Sequence, residues 1–214
     1  MREAFREELE AVFGALAAIC DQVEEAVVQA TQALLGADEA VAEAVISADE
    51  AIDDARTWVE EHCFELLSLQ APVAGDLRVV VAALRMVSDL ERMGDLSVHV
   101  AKIARLRVPN SAVPEGARET ISRMAEVAEA MVQRTATIIR TRDVSEAGLL
   151  AVDDDEMDKL RRSNFAELLS EDWPYGVEAA VDLALLGRYY ERIADHAVSV
   201  SNRVVFVVTG EAPA

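Results

Sequence analysis

One helical pattern is written twice in this chain, and that duplication limits the folds open to it. Glu91-Arg-Met-Gly-Asp95 returns as Glu191-Arg-Ile-Ala-Asp195 one hundred residues later, and Asp49-Glu-Ala-Ile-Asp53 returns as Asp154-Asp-Glu-Met-Asp158. Asp53 and Glu91 are 38 residues apart, Asp158 and Glu191 only 33. The deficit predicts a shorter second connection and a helix shorter by about one turn. Around these motifs apolar residues recur at three- and four-residue steps, as on helices with one buried face. Phe5, Leu9, Val12, Leu16, Ile19, Val23, Val27, Ala30 and Leu34 mark a first helix, which Gly36 is expected to end. Val41, Val45, Ala48, Ile52, Ala55, Val59 and Leu66 mark a second. Gln70-Ala-Pro-Val-Ala-Gly75 breaks the pattern, and Asp76 is placed to cap a third helix running to about Leu106. Val108-Pro-Asn-Ser-Ala-Val-Pro-Glu-Gly116 is the best linker candidate. A fourth helix then runs to about Arg140, and a fifth from Ser145 to Ser170. A sixth follows the turn Glu171–Gly176, runs to about Val208 and is closed by Gly210. The expected fold is all-α, with six helices in two similar three-helix bundles related by the internal repeat, over residues 1–108 and 115–214. An elongated six-helix bundle is the alternative.

Charge narrows the function. Asp and Glu total 40 against 20 Lys and Arg, a net charge of −20. Nucleic-acid binding needs a positive surface to displace counterions, so it is not expected. Bare anionic lipid is disfavoured on the same ground. Cations or a basic protein surface are the natural partners. The N-terminus carries no signal-peptide apolar region, and the longest clean apolar stretch, Val79 to Leu84, is too short to insert in a membrane. Both readings point to a cytoplasmic location. Cys20 and Cys63 fall inside helical patterns and are expected to be reduced core thiols.

Two acids four residues apart on a helix lie side by side and repel, by about 0.2–0.5 kcal/mol per pair. With so many acids, one such pair would mean little. Four pairs at matching places in the two halves need an attraction that offsets the repulsion, and a bound cation supplies one. At ~100° per residue the acids sit at the border of each apolar arc, so adjacent antiparallel helices can bring the borders together. Carboxylate metal bundles use the same logic. An all-oxygen ligand set suits Mg²⁺, Ca²⁺ and Mn²⁺, and iron and zinc also accept carboxylates. No Glu-x-x-His pair accompanies the acids. His99 and His196 lie close enough in sequence to join a site, but they read first as partly exposed helix residues. His62 has no partner pattern. Arg78, Arg85 and Arg92 recur every seven residues on the polar face of the third helix, and Arg188, Arg192 and Arg203 lie on the polar side of the sixth. They read as solvated, salt-bridged faces, with a docking strip for an acidic partner as the functional alternative. Trp58, Trp173, Tyr189 and Tyr190 read as packing residues. Gly-rich phosphate loops, Gly-x-Ser-x-Gly and Cys-x-x-Cys are all missing, which weighs against an enzyme.

The combined motifs resemble one family. Gln70-Ala-Pro-Val-Ala-Gly-Asp-Leu-Arg78, Val79-Val-Val-Ala-Ala-Leu-Arg85 and Asp89-Leu-Glu-Arg-Met-Gly-Asp95 are similar to the first half of PhoU proteins. Tyr190-Glu-Arg-Ile-Ala-Asp-His196 and Val204-Val-Phe-Val-Val-Thr-Gly-Glu211 are similar to the second half, and the pairs beginning at Asp49 and Asp154 match the other acidic motif. The resemblance covers essentially the whole chain. It implies two three-helix bundles with multinuclear metal sites, one on Asp49, Asp53, Glu91 and Asp95, the other on Asp154, Asp158, Glu191 and Asp195. It also implies a negative regulator of phosphate-starvation signalling. Its partners would be the ATPase subunit of the phosphate ABC transporter and a sensor histidine kinase. A homodimer is expected separately, because helical bundles with long apolar faces often dimerise. One departure is Ala194, where many members have glycine; a helical alanine there should not disturb the acids. By the repeat offset Asp89 corresponds to Tyr189, so any role for Asp89 is expected to belong to the first half only. A non-enzymatic adaptor is the leading reading. A carboxylate-bundle enzyme or ion-storage protein, and a scaffold with vestigial acids, are the alternatives.

Overall fold

The computed structural model describes residues 2–211, apart from the side chains of residues 2 and 4. Six long helices follow one another: α1 (Arg2–Gly36), α2 (Glu39–Gln70), α3 (Gly75–Arg107), α4 (Arg118–Thr141), α5 (Val144–Leu168) and α6 (Gly176–Thr209). No strand occurs among the described residues. Among the described residues no helix is long and apolar enough to cross a membrane. The fold is the expected pair of three-helix bundles, α1–α3 and α4–α6. α1, α3, α6 and α4 pack in a ring as a central four-helix layer; α2 lies outside against α1 and α3, and α5 outside against α4 and α6. Each outer helix therefore rests on the helix that carries the partner acidic motif.

The halves share one continuous apolar core. α3 and α6 run antiparallel. At one end Arg107 forks onto the buried Asp182 (2.6 and 3.0 Å). At the other end Arg78 donates to the carbonyl of Val207 (3.2 Å) and lies over the Phe206 ring. α1 and α4 also run antiparallel, with Cys20 Sγ donating to the Val132 carbonyl (3.3 Å) and Arg118 to the Leu35 carbonyl (3.0 Å). The seam between α3 and α6 repeats about a pseudo-twofold: Ser199 meets Asp89 at 2.9 Å, and the equivalent residues His99 and Tyr189 stack at 5.3 Å.

Several helix ends differ from expectation. Gly210 caps α6 in the left-handed conformation (φ 80°) as its sequence position suggests. Gly36 does not end α1 in that way; it stays helical, and Ala37 takes φ 50°. The reason is the next turn. The Asp38 amide reaches back to Ala33 O (3.0 Å) while its carboxylate caps α2 through the Val41 amide (3.1 Å), which leaves the left-handed step to the residue between. Asp76 is likewise not the cap of α3 but lies in its first turn, and Ala74 at the cap position offers no side-chain oxygen. The connection after α5 is longer than that after α2, residues 169–175 against 71–74. The shorter spacing in the second half comes instead from α5, which has 25 residues to the 32 of α2. The mid-chain connection is not a free linker, because Ala112 and Val113 are buried in the core.

Candidate functional site

Asp49 and Asp53 lie one turn apart on α2, Glu91 and Asp95 one turn apart on α3, and the four share the seam between these helices. α3 can approach closely there because of Gly94. A methyl group on that residue would meet Ile52 Cδ1 at 3.0 Å and Asp49 Oδ1 at 3.5 Å. The second half carries Ala194 and Met157 at the equivalent positions, both fully buried. Asp154 and Asp158 on α5 face Glu191 and Asp195 on α6 in the same arrangement.

The acids of each set feel one another. Burial, then Asp95 and Asp53, push the Asp49 carboxyl above the ordinary carboxylate range. Burial and Asp95 raise Glu91 against the opposing pull of Arg92 and Arg56. Burial raises Asp154, and Asp195, Asp158, Asp155 and Glu191 add to it. Repulsion of this kind is what a shared cation relieves.

The carboxylates converge on a seam but not on a point. Among the described residues no three His, Cys, Asp or Glu side chains stand close enough together to hold one ion. Arginines pair with several of them. Arg92 donates to Asp95 (2.8 Å) and lies 3.6 Å from Glu91. Arg188 pairs with Glu191, a carboxylate only 7% exposed, and Arg161 approaches the same group at 3.5 Å. Arg162 holds Asp158 at 3.1 Å, and Arg56 lies 4.0 Å from Asp53. This compensation is incomplete, since among the described residues no arginine or lysine pairs with Asp49, Asp154 or Asp195. An all-oxygen donor set under mutual repulsion, with arginines that satisfy it only in part, fits a divalent cation.

The duplication puts the eight acids on two helix seams; Arg92 and Arg188, expected on salt-bridged faces, pair with them, whereas Arg56 and Arg161 were not singled out. The signal was available, because Arg56 and Arg161 each follow the first acid of their set by seven residues. Arg92 and Arg188 precede an acid by three, the spacing of helix neighbours. His99 and His196 lie near the first acidic set but pair with none of its acids, the first stacked on Tyr189 and the second with Nδ1 3.0 Å from Asp89. Asp89 is not confined to the first half. It accepts from Ser199 and Arg203 of α6, and these bonds with His196 outweigh burial and hold its carboxyl below the usual range. His62 contacts Glu8 (2.8 Å) under the exposed Trp58 ring, so Trp58 covers the surface rather than filling the core.

The PhoU domain family matches this chain twice, over residues 16–104 and 121–204. The chain belongs to the PhoU family. Each match contains one complete acidic set. A Mycobacterium tuberculosis relative, phosphate-specific transport system accessory protein PhoU homolog 2, is 46% identical over 213 residues, with all of both chains covered. Homolog 1 of the same species is 44% identical, covering all of this chain and 96% of the relative. The crystal structure of PhoU from Pseudomonas aeruginosa superposes with a TM-score of 0.90 at 30% identity, over 97% of this chain and all of that one. The PhoU structure from Streptococcus pneumoniae gives 0.88 at 27% identity, over 98% of this chain and 99% of that one. The six-helix PhoU architecture with its internal repeat is thus the fold of this protein.

Proposed function

We propose that this PhoU protein is a non-enzymatic, cytoplasmic regulator of phosphate uptake and phosphate-starvation signalling. In this reading it couples the ATPase subunit of the phosphate ABC transporter to a sensor histidine kinase, as a negative regulator. The observation that carries the reading is likeness along the whole chain to relatives named as phosphate-specific transport system accessory proteins. Loss of the gene derepresses phosphate-starvation genes in phosphate-rich medium, and pull-downs recover the ATPase and the kinase. Normal repression in a strain without a second copy overturns the proposal.

Metal is part of the same proposal. Asp49, Asp53, Glu91 and Asp95 would hold one site, and Asp154, Asp158, Glu191 and Asp195 the other. Mg²⁺, Mn²⁺, Ca²⁺, Zn²⁺ and iron are the ions their oxygens suit. When bound, the ion supplies positive charge between an outer and a central helix. The acids themselves bridge that seam, and their arginines set the charge that an entering ion meets. Binding to the folded form alone raises the melting temperature by mass action, so a divalent ion stabilises the protein and a chelator removes the effect. Replacing the first four acids by Asn or Gln abolishes the shift at the first site. Failure of all five ions to shift the transition leaves a scaffold with salt-bridged acids. A carboxylate-bundle enzyme or ion-storage protein competes with the adaptor, but the histidines next to the acids are already engaged. We further propose a homodimer. Leu77 and Val81, and their repeat equivalents Val177 and Val181, are exposed at opposite ends of the α3–α6 layer; sedimentation at micromolar concentration decides it.

A further inference from the structure

The seam between α3 and α6 opens into a cleft near the pseudo-twofold, lined by Arg92, His99, Arg188, Arg192, His196 and one carboxylate, Asp95. Three guanidiniums and one carboxylate line it beside two imidazoles, a local concentration of arginine in a chain whose acids outnumber its Lys and Arg by 40 to 20. Arg192 has no carboxylate partner among the described residues; its contact is His196 Nε2 at 3.4 Å. His196 is fixed from its other nitrogen by Asp89 (3.0 Å). The stacked rings of His99 and Tyr189 make a flat wall.

Arg92 and Arg188 line this cleft and also hold Asp95 with Glu91, and Glu191, respectively. One comes from each half. Their side chains are 60% and 46% exposed, so the guanidinium heads have room to turn. Once Arg92 and Arg188 are freed of these carboxylates, three guanidiniums line one cleft and match a tetrahedral dianion, whose oxygens accept two forked bonds at a time. We propose that this cleft binds a phosphoryl oxyanion, and that neutralising the acidic sets releases Arg92 and Arg188 to it. The inference rests on the cation reading above for its physiological trigger, but its chemistry is tested without metal. Asp95 is the opposing charge. While unneutralised it both repels the anion and holds Arg92 back. Coupling of this kind is reciprocal, so the anion in turn strengthens cation binding.

The test is a calorimetric titration of the full chain with inorganic phosphate in the presence of chelator. The triple variant E91Q/D95N/E191Q removes the carboxylates that hold the two arginines, and it binds phosphate about tenfold more tightly than the wild type. Adding R192Q to the triple variant removes that gain, and thermal unfolding checks that each variant is folded. Phenyl phosphate in place of inorganic phosphate separates the two sources of the group. Tighter binding of the ester assigns the cleft to a phosphoryl group carried on a larger molecule; equal or weaker binding assigns it to free phosphate. Equal phosphate affinity in wild type and triple variant overturns the proposal, as does an R192Q change without effect. A Mn²⁺-induced rise in wild-type melting temperature reports on the cation reading alone. If it appears while the phosphate titrations do not differ, only the cleft is wrong. If it fails while they differ, the cleft stands without its metal trigger.

Discussion

At the scale of single residues, the polar groups that cross between the halves carry the most information. Tyr190 of α6 is buried, and its hydroxyl lies 2.8 Å from Thr31 Oγ1 of α1. Thr31 donates its own proton to Val27 O (2.8 Å), so the tyrosine is the donor of the shared bond. The two partners are therefore unequal. Thr31→Val leaves a buried phenol proton with no acceptor and costs about 1–3 kcal/mol, whereas Tyr190→Phe removes the donor itself and costs about 0.5–1.5 kcal/mol. The double variant is less destabilised than the sum of the two. Urea unfolding of the three variants checks the order, and a larger loss for Tyr190→Phe would reverse the donor assignment. Asp89 teaches a related lesson. Comparing repeats pairs it with Tyr189 and finds no shared chemistry, yet the pseudo-twofold sets it against Ser199 instead. Sequence identity between repeats reveals equivalent positions; it does not reveal which positions touch.

At the scale of elements, the six helices were legible because their apolar steps are long and regular, while their ends were legible only in part. Gly210 was readable because a glycine past the last apolar residue takes the left-handed step. Gly36 misled because the turn into α2 is set by the capping carboxylate of Asp38, which outranks glycine's conformational freedom there. The acidic sets were legible as a duplication, and Arg92 and Arg188 as salt-bridged faces; Arg56 and Arg161 went unread because the acids of α2 and α5 were sought without their counter-charges. α5 is the least buried of the long helices. It buries only Leu150, Met157 and Asn164, where its repeat mate α2 buries six residues and α3 fifteen, and one of the three is polar, with Asn164 donating to Leu183 O (3.1 Å). Few buried apolar contacts mean a low local opening free energy. The amides of α5 therefore exchange with deuterium fastest among the long helices and those of α3 slowest. A cation on the second acidic set ties α5 to α6 and slows its exchange. Equal protection of α5 and α3 in metal-free protein would contradict this ranking.

At the scale of the whole molecule, the duplicated sequence suggests two units, and the packing makes them one. α1 and α3 each bury one face against their own bundle and another against the opposite half, through a core that runs without a break across all six helices. Polar clasps at both ends of the α3–α6 seam, Arg107 on Asp182 and Arg78 on Val207 O, fix the antiparallel register. The two cysteines report on this directly. Cys20 faces the interface between halves and donates to Val132 O of α4, whereas Cys63 lies inside the first half on α2. Burial pushes the Cys63 thiol up to about 11, with Glu60 adding to it, and raises Cys20 further. Both are therefore protonated and shielded in the folded protein at pH 8, where only the thiolate reacts. If the halves unfolded separately, opening of the second would strip α4 from α1 and expose Cys20 while Cys63 stayed protected. A shared core instead makes unfolding a single cooperative transition. Pulse alkylation across a urea series should find Cys20 and Cys63 reactive at one midpoint, coincident with the loss of helical circular dichroism. Labelling of Cys20 at a lower urea concentration than Cys63 would show that the repeats fold as independent units.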